Sequence, residues 1–325
     1  MKDELKFPET LHEAIKYFAD GERAFEYMKS VRWPDGKVSC PRCGCDEVSF
    51  ISTRKLWTCK KCETKKQFTI RVGTILEDSA ISFDKWICAF WLIANAKNSV
   101  SSYEIGRALG VTQKTGWFML QRIRLAMQNG TIEKLSGEIE ADETYIGGKV
   151  RNMHADKKRK RGRGTGGVGK AIVMGLLERN KLDKASKVKL KHVTHARRGI
   201  LQSEIRQHVA PGSHIFTDAL PSYNGLNKDF VHEAIDHARE YVRGNVHTNG
   251  LENFWCLLKR CFKGTYVSVE PFHLFRYLDE QAFRFNEREG TDQSRFTKVI
   301  SGIIGKRLTY AQLIGKTAQA AELPA

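Results

Sequence analysis

The stretch Gly137-Glu138-Ile139-Glu140-Ala141-Asp142-Glu143-Thr144-Tyr145-Ile146 sets carboxylates into an otherwise strand-like run. Charge inside a strand is costly unless something pairs with it, so the pattern invites a metal reading. A second run, His214-Ile215-Phe216-Thr217-Asp218, ends in another acid. Divalent magnesium prefers oxygen ligands, and a pair of ions bridged by an aspartate suits phosphoryl transfer. One acid at a strand end carries little by itself, because the loops that follow strands are polar anyway. A third stretch, residues 247–260 (HTNGLENFWCLLKR), has helical spacing. Glu252 and Lys259 are two turns apart, about 10 Å along the axis, and so share a face that Asn249 flanks. Leu251, Phe254, Trp255 and Leu258 form the packed side. Alone, this helix reads as an ordinary amphipathic surface helix.

Around these stretches lie further strand-like runs at 171–177, 188–193 and 230–234, with helices near 200–209 and 251–262. The alternation predicts a mixed α/β domain, which the polar stretch 129–137 separates from what precedes it. Between the first two strands, Lys149 to Lys170 carries the basic run Lys157, Lys158, Arg159, Lys160, Arg161 and Arg163, followed by a glycine-rich tract. This run is expected to touch DNA phosphates without reading sequence, the alternative being a solvated loop.

Upstream, Cys40 and Cys43 form one CxxC pair and Cys59 and Cys62 a second, with fifteen residues between them. Two such knuckles can present four thiolates tetrahedrally to one Zn²⁺. Cys45 is a spare, since CxxC is the better bite. Nearby lysines, among them Lys60 and Lys61, tilt the ribbon toward DNA, although zinc ribbons also contact proteins. Thr10 with Glu13 opens a short amphipathic helix, and a second helix spans about 24–31. Phe83, Trp86, Ile87, Phe90 and Ala94 mark another. The stretch 102–121 has helix-turn-helix spacing, with the turn at Gly110. Thr112, Gln113, Lys114 and Thr115 would then face a major groove. Gly116 falls where a branched apolar residue is usual, so a plain helical hairpin stays open.

Composition agrees with a polyanionic partner: 54 Lys and Arg against 37 Asp and Glu give a net charge of +17 over 325 residues. The N-terminus lacks a secretory apolar run, and the longest apolar stretch, Trp86 to Ala94, is far short of the ~20 residues that span a bilayer. The expectation is a cytoplasmic protein with no membrane partner. In a reducing compartment, CxxC pairs point to metal and not to disulfides.

The acids Asp142, Asp218 and Glu252 are separated by 76 (142 to 218) and 34 (218 to 252) positions and lie on a strand, a strand end and a helix. With CPRCG, WTCKKC, ADETYIGGK, FTDALPSY, HTNGLENFWCLLKR and the stretch 262–286, the chain resembles the DDE transposases of bacterial insertion sequences that carry an N-terminal zinc ribbon, the ISXO-like group. The resemblance runs from about Trp33 to Asn286. It implies an RNase H-like catalytic domain, binding of terminal inverted repeats, and cleavage and strand transfer dependent on Mg²⁺ or Mn²⁺. It maps the acidic residues onto Asp142, Asp218 and Glu252. Since the group varies between Glu and Asn at the third named position, followed by Lys, Asn249 and Glu252 both stand as candidates for the third ligand, with Lys259 placing a phosphate.

The expected organisation is N-terminal helices (1–35), a zinc ribbon (36–75), a helical DNA-binding region with helix-turn-helix (80–130), an RNase H-like α/β domain (137–290) and a C-terminal tail (291–325). The partner is double-stranded DNA, both transposon ends and target, bound by a homo-oligomer and associated with the nucleoid when active. Two rivals remain: a nuclease of the same fold that cuts without joining, and a zinc-ribbon regulator with an inert nuclease-like domain.

Overall fold

A computed structural model describes residues 6–128, 133–148, 170–180, 185–235 and 245–316. The basic run from Lys157 to Arg163 lies outside the described residues. The chain divides into two compact units, one of Met1–Asn129 with Gly290–Leu323, the other centred on Gly130–Glu289. Among the described residues, no helix is long and apolar enough to cross a membrane.

The first unit begins with helices α1 (Leu11–Phe18) and α2 (Gly21–Arg32). Thr10 and Glu13 close a reciprocal capping box on α1, and Asp20 accepts from Glu22 N to start α2, three residues before its apolar pattern becomes visible. Three short antiparallel strands follow in the order β1 (Val48–Ile51), β2 (Leu56–Cys59) and β3 (Gln67–Thr69). Trp57 is held between Phe25 of α2 and Phe68 of β3, each ring centroid 5.9 Å away, so this small sheet borrows its core from a helix. Helices α3 (Phe83–Asn95), α4 (Ser102–Leu109) and α5 (Gln113–Met127) complete the N-terminal part.

Sequence spacing leaves residues 291–325 as a tail with no assigned element. The structure instead builds helices α9 (Asp292–Ser301) and α10 (Tyr310–Leu313) there, numbered after the three helices of the second unit (α6, Arg198–His208; α7, Asn249–Cys261; α8, Leu274–Asn286), and packs them into the first. Phe296, fully buried, meets Trp91 at 4.9 Å and stacks on Tyr27 at 6.1 Å. Gly302 passes so close to α5 that a Cβ on it would lie 2.3 Å from the carbonyl oxygen of Ala126. A ten-residue amphipathic helix whose partners lie some two hundred positions upstream gives no local sign of where it packs.

The second unit is a five-stranded sheet in the order β6-β5-β4-β7-β8, namely Lys187–Val193, Ala171–Glu178, Glu138–Ile146, His214–Asp218 and Val231–Ile235. β4, β5 and β6 run antiparallel, whereas β7 and β8 run parallel to β4. Helix α6 (Arg198–His208) packs on one face over Ile139, Ala141, Met174 and Ile215. Helices α7 (Asn249–Cys261) and α8 (Leu274–Asn286) cover the other, over Val173 and Leu177. Because side chains alternate along a strand, β4 sends Ile139, Ala141 and Glu143 to the α6 face and Glu140, Asp142 and Thr144 to the α7 face.

Candidate metal centres

Ala141 of β4 is paired in parallel with Thr217 of β7, so the next residues along, Asp142 and Asp218, are neighbours across the two strands. The third acid comes on a helix whose start is tied to the same strand. Glu140, 1 % exposed, accepts the N–H of Leu251 at 2.8 Å and the Nε of Arg179 at 2.9 Å. Leu251 is the third residue of α7, one of the four whose amides a helix leaves unpaired. Glu140 therefore caps α7 from the sheet. Arg179 continues the link to the carbonyls of Asn245 (2.8 Å) and His247 (2.7 Å) and lies 4.2 Å over the Phe216 ring. A Cβ on Gly250 would reach within 2.8 Å of the Glu140 carboxylate, so glycine is needed at that approach.

One turn further along α7, the indole Nε1 of Trp255 donates to Asp142 Oδ2 at 2.8 Å, while the backbone N–H of Glu143 donates to Oδ1 at 2.8 Å. Glu252 is exposed on the same helix. Burial pushes the Asp142 carboxyl up to about 6; the hydrogen bonds from Trp255 and Glu143 oppose this, and the negative charges of Asp218 and Glu252 add to it. Asp218 and Glu252 are thus near enough to act on Asp142 electrostatically. Among the described residues, the four ribbon cysteines alone form a group of three or more ligand atoms drawn within 4.8 Å. Asp142, Asp218 and Glu252 lie outside that group, although as carboxylates they are the hard oxygen donors that Mg²⁺ or Mn²⁺ takes. Asn249, the first residue of α7, and Lys259, two turns past Glu252, are both exposed.

Two acids of the opening stretch acquire roles that spacing alone does not reveal. Glu140 is the cap; its place two residues before Asp142, hence on the same face, is the signal that could have found it. Glu143 turns to the other face, where the Tyr223 hydroxyl donates to it at 2.5 Å. Burial raises its carboxyl to about 7, with Asp218 and Asp142 adding to the shift.

In the ribbon, Cys40 and Cys62 stand 3.8 Å apart at sulfur, Cys43 and Cys59 3.6 Å, and Cys43 and Cys62 3.5 Å. Four thiolates about 2.3 Å from a tetrahedral zinc would have sulfurs about 3.8 Å apart, so donors and spacing fit one Zn²⁺. The first knuckle is closed by Gly44 N–H to Cys40 O at 2.8 Å, with Gly44 at φ +74°. Cys45 contributes its carbonyl to Cys40 N–H at 2.8 Å and is not among the clustered sulfurs. The contact with Cys43, then burial, pushes the Cys62 thiol up to about 12. Burial would raise Cys59 too, but the backbone N–H groups of Cys62 and Lys61 bring it down to about 6.

Helices α4 and α5 meet through glycine. A Cβ on Gly116 would lie 2.8 Å from Ser102 O, and one on Gly106 3.0 Å from Val111 O. The glycine that looks wrong in the sequence pattern is what lets these helices cross. Of the four residues expected in a groove, Thr112 caps α5 and bonds the Thr115 hydroxyl (2.9 Å), and Gln113 Nε2 donates to Ser102 Oγ (2.8 Å). Lys114 is exposed.

Comparison with known proteins bears on the ribbon and on the α/β unit as whole domains. Residues 134–286 match the ISXO2-like transposase domain, and residues 19–65 the transposase zinc-ribbon domain. A protein of the transposable element ISH50 from Halobacterium salinarum is 28% identical over 258 residues, covering 76% of this chain and 84% of that protein. A transposase-like protein of Haemophilus influenzae is 33% identical over 95 residues, covering 29% of this chain and 76% of that protein. The chain belongs to the ISXO2-like transposase family, with that family's zinc ribbon at its N-terminal side.

Proposed function

We propose that the chain is a DNA transposase that binds the ends of its element and carries out metal-dependent cleavage followed by strand transfer. The observation that carries this reading is that Asp218, on the neighbouring strand end, and Glu252, on a covering helix, both act electrostatically on Asp142 of the central strand. Three antiparallel strands followed by two parallel to the first, with the acids on the central strand, its neighbour and a covering helix, support an RNase H-like domain.

In this reading Asp142 and Asp218 hold the ions and Glu252 completes the set. Bound Mg²⁺ or Mn²⁺ would supply an activated attacking oxygen and charge neutralisation at the leaving one. Lys259 places the scissile phosphate as a point charge two turns along the Glu252 face. Asn249, neutral and exposed at the helix start, orients and does not ligate. Helices α4 and α5 read the element ends as a helix-turn-helix. Lys114 is the side chain with most reach into a groove, with Thr112, Gln113 and Thr115 chiefly shaping the start of α5. The run Lys157, Lys158, Arg159, Lys160, Arg161 and Arg163 adds contacts to phosphates, and a homo-oligomer brings the ends and target together on nucleoid DNA.

Incubating the purified protein with its flanking DNA ends and a target duplex tests this reading. Metal-dependent cleavage and joining are expected, with both lost in Glu252→Gln and end binding kept. Cleavage without joining would leave a nuclease. Neither reaction, with end binding retained, would leave a DNA-binding regulator. An active Glu252→Gln beside a dead Asn249→Ala would move the third ligand to Asn249.

A further inference from the structure

We propose that Trp255 is a positioning residue for Asp142: its indole N–H holds the carboxylate from the helix side, and its ring sets how closely α7 carries Glu252 past β4. The inference rests on the metal-site reading above.

A buried tryptophan at a helix–sheet contact needs no special explanation, and Trp255 is only 4 % exposed. Packing alone, however, does not account for where the indole N–H points. That N–H meets Asp142 Oδ2 at 2.8 Å while the Glu143 amide meets Oδ1 at 2.8 Å. Each oxygen is therefore held by one donor. An ionised carboxylate offers about four lone-pair sites, so two donors fix its plane and still leave acceptor capacity on both oxygens. The indole is a donor only and cannot reverse the bond.

The ring's seat is as specific as its N–H. Gly175 of β5 is the cross-strand partner of Asp142. A Cβ on Gly175 would come within 2.7 Å of two carbons of the Trp255 six-membered ring and 2.8 Å of Leu251 Cδ2. The indole occupies a slot that only glycine leaves open, directly across from the acid it bonds. Glu252 is one turn earlier on the same helix, so pushing the ring out of the slot also moves Glu252 relative to Asp142.

The test uses full-length protein with ¹⁵N-labelled tryptophan, the Trp255 indole resonance being identified by its loss in Trp255→Phe. Adding Mg²⁺ is expected to move that resonance. Trp255→Phe should need roughly 10- to 100-fold more Mg²⁺ for half-maximal cleavage, the usual effect of losing a hydrogen bond that orients a metal ligand, with unchanged affinity for DNA ends. Gly175→Ala should shift the requirement the same way. Since a smaller ring can loosen the helix, β-(3-benzothienyl)alanine at position 255 provides a shape-matched side chain without the N–H, and it should also raise the requirement. A wild-type Mg²⁺ requirement with that analogue, or an indole resonance indifferent to Mg²⁺ while Asp142→Asn abolishes cleavage, would overturn this inference alone. Normal cleavage by Asp142→Asn would overturn the site reading, and this inference with it.

Discussion

The ribbon and the acidic site are both sets of metal-type ligands, but they are held in opposite ways. The four cysteines lie within 23 positions, on two knuckles closed by their own backbone hydrogen bonds. The three candidate acids span 111 positions (142 to 252) and stand on a parallel strand pair and on a helix capped from the sheet. A small three-stranded sheet has little core of its own, so the ion is part of its fold. The sheet that carries the acids is covered on both faces and has an apolar core of its own.

The largest effect should follow removal of zinc. Binding of a structural zinc is worth about 10–16 kcal/mol near neutral pH, so stripping it should unfold residues 36–75 and leave the α/β unit folded. Hydrogen exchange read segment by segment would show this. Equal protection in the ribbon before and after verified zinc loss would break the comparison.

Asp142→Asn should act in the reverse sense. Loss of a charged ligand should cut cleavage on the order of 10³-fold, equivalent to several kcal/mol of transition-state stabilisation, while melting temperature holds or rises. A protein that instead unfolds would show the acid to be structural.

Next is Glu140→Gln, which keeps an acceptor for Leu251 but leaves the buried Arg179 only the more exposed Glu138, at 3.3 Å, as countercharge. Breaking a buried pair in this way costs about 3–5 kcal/mol, to be measured by urea unfolding of the second unit. A change under about 1 kcal/mol would mean that the carbonyls of Asn245 and His247 suffice for Arg179.

Gly116→Ala should destabilise the first unit by a smaller amount. The helix-propensity gain of about 1 kcal/mol is outweighed by a Cβ placed 2.8 Å from a backbone oxygen, given overpacking costs of about 1–3 kcal/mol. A stabilised variant would mean that α4 and α5 separate easily.

The smallest effect concerns pH. Asp142 is raised to about 6 from 3.8, and Glu143 to about 7 from 4.5. With folded pKa values above the unfolded ones, the native state holds more protons between about pH 4 and 7. Their contribution to stability is complete below pH 4 and is lost as pH rises through 6 and 7. Metal-free full-length protein should show this component as a declining melting temperature across that window, weakened in Asp142→Asn, and added Mg²⁺ should offset the decline at the high end. A decline identical in wild type and Asp142→Asn would assign the effect to other groups.

Local chemistry was readable in advance. The CxxC spacing, the Thr10 and Thr112 caps and the strand alternation around Asp142 are each determined within a few residues, because knuckles, caps and pleats close over short distances. Positions 142, 218 and 252 are singled out by the resemblance to the ISXO-like group, whereas strand and helix patterns alone leave neighbouring acids such as Glu140 and Glu143 equally open. Which face each acid meets, and what holds it there, depends on tertiary structure. Glu140 becomes a cap only when α7 lies over β4, Trp255 becomes a donor to Asp142 only across the slot at Gly175, and Gly116 becomes necessary only when α4 and α5 cross. Residues 292–302 join the first unit through Phe296 and Gly302, which meet side chains and backbone far away in the chain. A sequence displays the periodicity of such a helix, but its partners are chosen by the space that remains once the other elements have packed.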